Sequence, residues 1–180
     1  QVLPTESEWQ DRQLINNGMN SFTPIEAALD PNDWHQTYRS VNAWRERAIL
    51  CFAHAEAAVG ETLLAMGKVP DRGAKVGLRH GSGEPLDDLA TAMGADGPFG
   101  DMGRKAVSAL VDFRRHEGLR PFLSHGTTRG SIDRHGEWVV ILKLVSFRGR
   151  EAQWDETAFD QRQAESVLAE LKSSTKKLGS

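Results

Sequence analysis

The chain has 180 residues, 39% of them apolar and 26% charged, with a net charge of −3 and a mean hydropathy of −0.48. That is the length of about one globular domain with a real apolar core, and the balance excludes disordered, collagen-like and membrane classes. The longest apolar runs, 48–59 (broken by His54 and Glu56) and 138–145 (broken by Lys143), fall short of the roughly 20 clean residues a membrane span needs.

The first ten residues are polar and acidic, so no signal peptide is expected. A lone cysteine, Cys51, agrees with a reducing cytoplasm. Charge is uneven along the chain. Residues 104–150 carry ten Lys and Arg against four Asp and Glu, a local +6, whereas the first forty carry two Arg against six acids, a local −4. A basic face of this kind can hold a phosphate backbone even on an acidic protein.

Residues 1–30 read as an N-terminal extension, with one amphipathic helix through Trp9 and Leu14 and a turn at Pro24. Asp30-Pro31 then gives a cap and a first-turn proline. Apolar residues follow in steps of three and four at Trp34, Tyr38, Val41, Trp44, Ala48, Cys51, Ala55, Val59, Leu63 and Met66. The spacing predicts one helix of about thirty residues, or two nearly continuous ones, stopped by Gly67. Residues 67–85 read as a surface loop, 86–93 as a short helix and 94–100 as another loop. A second strong helix runs from Met102 through Ala106, Leu110 and Phe113 to the cluster Arg114-Arg115-His116. Beyond His125-Gly126 the period becomes alternating and predicts a β-hairpin over about 127–147, turning at Arg134-His135-Gly136. After a turn at Arg148-Gly149-Arg150, Thr157-x-x-Asp160 reads as a capping box for a last helix with Ala164, Val167, Leu168 and Leu171 inward.

The phosphate-loop, hydrolase-elbow and zinc signatures GxxxxGK[ST], GxSxG, HExxH and CxxC are all missing. The glycine stretches Gly94-Ala95-Asp96-Gly97 and Gly81-Ser82-Gly83 lack the flanking strand of a phosphate turn. No two of the six histidines form a helical i, i+4 ligand pair, and His54, beside the apolar face of the long helix, reads as a structural histidine. No metal and no cofactor is expected.

One segment stands apart: Leu119-Arg120-Pro121-Phe122-Leu123-Ser124-His125-Gly126, following a long amphipathic helix and a basic cluster. It resembles the R-x4-H signature of HEPN-domain proteins. The resemblance implies a mainly α, up-and-down helical bundle over residues 31–180, here with a small antiparallel β-hairpin before the C-terminal helix. It further implies a metal-independent endoribonuclease of toxin or defence type, with Arg120 and His125 catalytic. Ser124 within the motif and Arg114, Arg115, His116 and Thr127 beside it are the expected substrate contacts, with a solvated helix end as the plainer reading of Arg114-Arg115-His116. An imidazole exchanges protons near neutral pH, and a guanidinium offsets phosphoryl charge bidentately, so these residue types suit transphosphorylation. Residues five apart on an ideal helix differ by about 140° and do not share a face. HEPN proteins typically meet this by dimerising, so a homodimer with a composite site, an RNA substrate and an antitoxin-like or nucleotidyltransferase partner are expected. Pro121 departs from the family pattern, where a polar residue is usual, and predicts a kinked or restarted helix with Arg120 at its cap. The alternative from another class is a non-catalytic dimerisation or interaction module.

Overall fold

The computed structural model describes residues 31–79, 83–133, 135–149 and 151–179. The expected helix through Trp9 and Leu14, and the extension it belongs to, lie outside the described residues.

Helix α1 (Pro31–Gly67) is the axis of the fold. Its three-and-four spacing buries Val41, Trp44, Ala48, Cys51, Ala55, Val59, Leu63 and Met66, as the sequence predicts. Trp34 and Tyr38, expected on the same face, are exposed, because the first turns bury Thr37 and Val41 instead. His54 is exposed as well, and so is not the structural histidine expected of it. Against the expectation from its broken apolar runs, α1 is long and apolar enough for a membrane span by length and composition, and one third of that apolar stretch is buried inside the fold. After a 3-10 turn at Gly73–Lys75 come α2 (Glu84–Met93), α3 (Arg104–Arg114) and the short α4 (Leu119–His125).

Strands β1 (Thr127–Ile132), β2 (Trp138–Arg148) and β3 (Glu151–Asp160) form an antiparallel sheet in the order β1-β2-β3. The expected two-stranded hairpin is therefore a three-stranded sheet. The first turn is held by Asp133, whose carboxylate accepts from the backbone N–H groups of His135 (2.8 Å) and Glu137 (2.9 Å), with Gly136 at φ 80°. In the second, Arg148 pairs with Glu151 across two residues, the first of which is Gly149 at φ 67°. A positive φ there is what a tight primed hairpin turn requires. The third strand displaces the expected cap. The last helix, α5 (Gln161–Leu178), starts at Asp160, whose side chain accepts from Gln163 N–H at 2.8 Å while Gln163 Oε1 accepts from Asp160 N–H. Thr157 lies inside β3, paired with Leu142.

The core joins these elements at Trp44. Its indole Nε1–H donates to the carbonyl of Ala164 on α5 at 2.7 Å, and its ring lies 6.4 Å from Trp138 on β2 and 6.0 Å from Phe159 on β3. One fully buried side chain thus ties α1 to the sheet and to the last helix. Replacing Trp44 by Ala is expected to cost about 3–5 kcal/mol in urea unfolding followed by far-UV circular dichroism. Trp34→Ala, at an exposed position of the same helix, should stay within about 0.5 kcal/mol. Equal effects at the two positions would contradict this account of the core.

Candidate functional site

The chain between α3 and α4 turns through 115–118 by short-range bonds: His116 N–H to Phe113 carbonyl, Leu119 N–H to His116 carbonyl and Arg120 N–H to Glu117 carbonyl. Helix α4 restarts at Leu119 with Gly118 as its N-cap. Pro121 therefore sits in the first turn, where a missing N–H removes no helical bond. The restart expected at Pro121 occurs two residues earlier, and Arg120 is inside the helix rather than at its cap.

In α4, Leu123 is fully buried, and Leu119 and Phe122 pack partly against the core. That inward stripe leaves Arg120, Pro121, Ser124 and His125 on the outer half. All four line one cleft of about 430 Å³, completed by Phe52 and Glu56 from α1, Leu86 and Asp87 from α2, Phe113 from α3, and by Gly83 and Glu117. Arg120 and His125, expected to be unable to share a face, border the same cleft, because it spans the whole outer half of a helix only seven residues long. Phe52 and Phe113 meet edge to face at 5.5 Å, and both are buried.

The charged groups are paired across elements. Arg120 Nη2 lies 2.8 Å from Oε1 and 3.1 Å from Oε2 of Glu56. Arg114, read as a phosphate contact, is bound to Asp87 at 2.5 Å, on the cleft's α2 side. Ser124 and His125 are exposed, at the cleft mouth. Arg115 and His116 are not in the lining. The Arg115 guanidinium is 3.8 Å from Asp112, and His116 Nε2 is 3.8 Å from Glu170 on α5. Thr127 opens β1 opposite Lys143, also outside the lining. The structure thus unites Arg120, Ser124 and His125, holds Arg114 by an ion pair at the border, and separates the other three. Among the described residues no group of three or more His, Cys, Asp or Glu side chains could hold a metal ion.

Sequence reading missed Glu56, Asp87 and Glu117. Glu56 had a visible signal, a charge inside the apolar run 48–59; Asp87 and Glu117 had none. On α2 the neighbouring Asp88 binds Arg79. It is buried, which pushes its carboxyl up, but the backbone N–H (2.7 Å) and the guanidinium (2.7 Å) of Arg79 more than offset this and hold it below the usual carboxylate value. No family model, curated protein or solved structure matches this chain.

A double-mutant cycle of Glu56→Gln and Arg120→Gln in urea unfolding should give a coupling of about 1 kcal/mol, the scale of a half-exposed ion pair; additive losses would show that the pair contributes nothing. Asp88→Asn should lower Tm at pH 7. Because the folded carboxyl titrates below its unfolded counterpart, that stabilisation is complete above about pH 4 and fades at lower pH. The Tm gap to wild type should therefore close only on acidification below that point, and a gap independent of pH would refute the Arg79 clamp.

Proposed function

We propose that the chain is a HEPN-like endoribonuclease that cuts RNA without a metal ion. The 2′-hydroxyl oxygen attacks the adjacent phosphorus and gives up its proton. The P–O5′ bond breaks and the leaving 5′-oxygen gains a proton, so the products are a 2′,3′-cyclic phosphate and a 5′-hydroxyl. The observation that carries this reading is the meeting of Arg120, Ser124 and exposed His125 in one cleft. His125 moves the protons, Arg120 offsets charge on the phosphoryl oxygens, and Ser124 hydrogen-bonds the backbone at the mouth. In this reading the protein acts as a homodimer in the cytoplasm, with a second copy supplying the second imidazole, and an antitoxin-like or nucleotidyltransferase partner holds it in check.

A second reading, a non-catalytic interaction module, is favoured by a different observation. Val145, Phe147 and Trp154 are exposed on one face of the β2–β3 ribbon, with Val145 and Trp154 directly paired. Exposed apolar clusters of this kind mark contact surfaces.

The two readings separate in a cleavage assay on single-stranded RNA in excess EDTA. Wild type should release cyclic-phosphate ends; His125→Ala should lose about 10²–10⁴ in rate, and Arg120→Ala about 10²–10³. An inert wild type, or variants that cut as well as wild type, would leave the interaction module as the better reading.

A further inference from the structure

Helix α4 ends at His125, and its last carbonyls have no helical partner of their own. The Phe122 carbonyl accepts from Gly126 N–H at 3.0 Å. The next, Leu123, is met by Arg45 of α1, whose Nε lies 2.8 Å and Nη2 2.5 Å from its oxygen; Nη2 also lies 3.4 Å from the Gly126 oxygen. One guanidinium thus clasps the two carbonyls that bracket Ser124 and His125. Its charge complements the negative end of the helix, and its planar fork suits two acceptors in a way that a single ammonium does not.

A second contact fixes the same point. Gly126 is buried, and a Cβ there would collide with the backbone oxygens of Phe122 and of Lys143 on β2. The chain leaving His125 is therefore held both by the Arg45 fork and against the β2 backbone. Glu56, which holds Arg120, is eleven residues beyond Arg45 on α1, a separation of about 20° around the axis, so one face of α1 grips both ends of α4.

We propose that Arg45 is a positioning residue of the cleft: by binding the carbonyls of Leu123 and Gly126 it sets where the His125 imidazole stands relative to Arg120. The proposal rests on the ribonuclease reading above. Arg45 is not in the cleft lining and touches no reacting group. It acts through the α4 backbone.

The test uses the full chain with Arg45→Ala and Arg45→Lys, read in two ways. Amide exchange by NMR reports the clamp whether or not RNA is cut. In Arg45→Ala, exchange at Gly126 should rise roughly tenfold while the Trp44 indole N–H stays as protected as in wild type, marking an opening confined to the end of α4. Cleavage of an RNA oligonucleotide should lose about 10²-fold in kcat with KM changed by less than about twofold, and ethylguanidinium should restore part of the rate. Arg45→Lys should fall between the two, and it carries the comparison if the alanine variant does not fold. Unchanged Gly126 exchange, or unchanged kcat with raised exchange, would overturn the positioning role. If wild type cuts no RNA, the ribonuclease reading fails, and with it the role of Arg45 toward a reacting imidazole; raised Gly126 exchange would then show a helix cap alone.

Discussion

Seven residues of isolated chain do not hold a helix in water, because nucleation fixes several dihedrals for each early hydrogen bond. Helix α4 persists through its neighbours: α1 supplies a carboxylate for Arg120 near its start and a guanidinium for the carbonyls at its end, and the core formed with α1 and β2 buries Leu123 between them. The cleft inherits this dependence. Its outer-half residues are placed by a helix whose geometry is imposed from outside, and α1 is in turn fixed to the sheet and to α5 by Trp44. The order of dependence runs from a buried indole to a long helix, from that helix to a short one, and from the short one to an imidazole at a cleft mouth.

The same arrangement governs the electrostatics. The basic excess of 104–150 is drawn down by acids from outside that stretch: Glu56 on α1 takes Arg120, Asp87 on α2 takes Arg114, and Glu156 on β3 takes Lys143. Summing charge along 104–150 overstates the positive field, because these three carboxylates stand against its basic side chains. The cleft lining itself holds Glu56, Asp87 and Glu117 against Arg120. A polyanion would not coat such a surface by bulk charge. In the proposed reaction, recognition rests on a few directed hydrogen bonds to one phosphodiester, with the guanidinium shared between Glu56 and the phosphoryl oxygens, and binding to single strands would depend only weakly on salt.

Most of the helical frame was legible because it rests on periodicity and caps. The spacing from Val41 to Met66 and the Gly67 boundary describe α1 closely, and the Val- and Ile-rich run through 138–147 describes β2. Strand β3 was not legible. Glu151, Gln153, Asp155 and Glu156 are poor strand formers, and the segment lies at the sheet edge, where pairing with β2 and the Gly149 turn override its propensity. Missing it moved the last cap three residues early, to Thr157, although Asp160 and Gln163 carry the same cap signature. At the site, the motif residues were legible but their neighbours were not. Asp87 and Arg45 lie far from α4 in sequence, and nothing in a charged position on a helix announces which backbone or side chain it will meet.

Transphosphorylation with in-line geometry places the entering 2′-oxygen and the leaving 5′-oxygen on opposite sides of phosphorus, so the base and the acid must also stand apart. A single imidazole fixed at the end of α4 can reach one of those oxygens in a given pose. The shared cleft therefore answers one part of the problem, the meeting of guanidinium and imidazole, and leaves the other, the second proton, to a group facing it. In the proposed dimer that group is the same residue of a second copy, entering over the exposed mouth formed by Ser124 and His125. Such a site makes heavy demands on precision, since two imidazoles on two chains must bracket one phosphorus atom. A short helix clasped at both ends by a long one meets that demand better than a free helix end would, and this is the physical sense in which the rigidity of α1 and the chemistry proposed for α4 belong to one design.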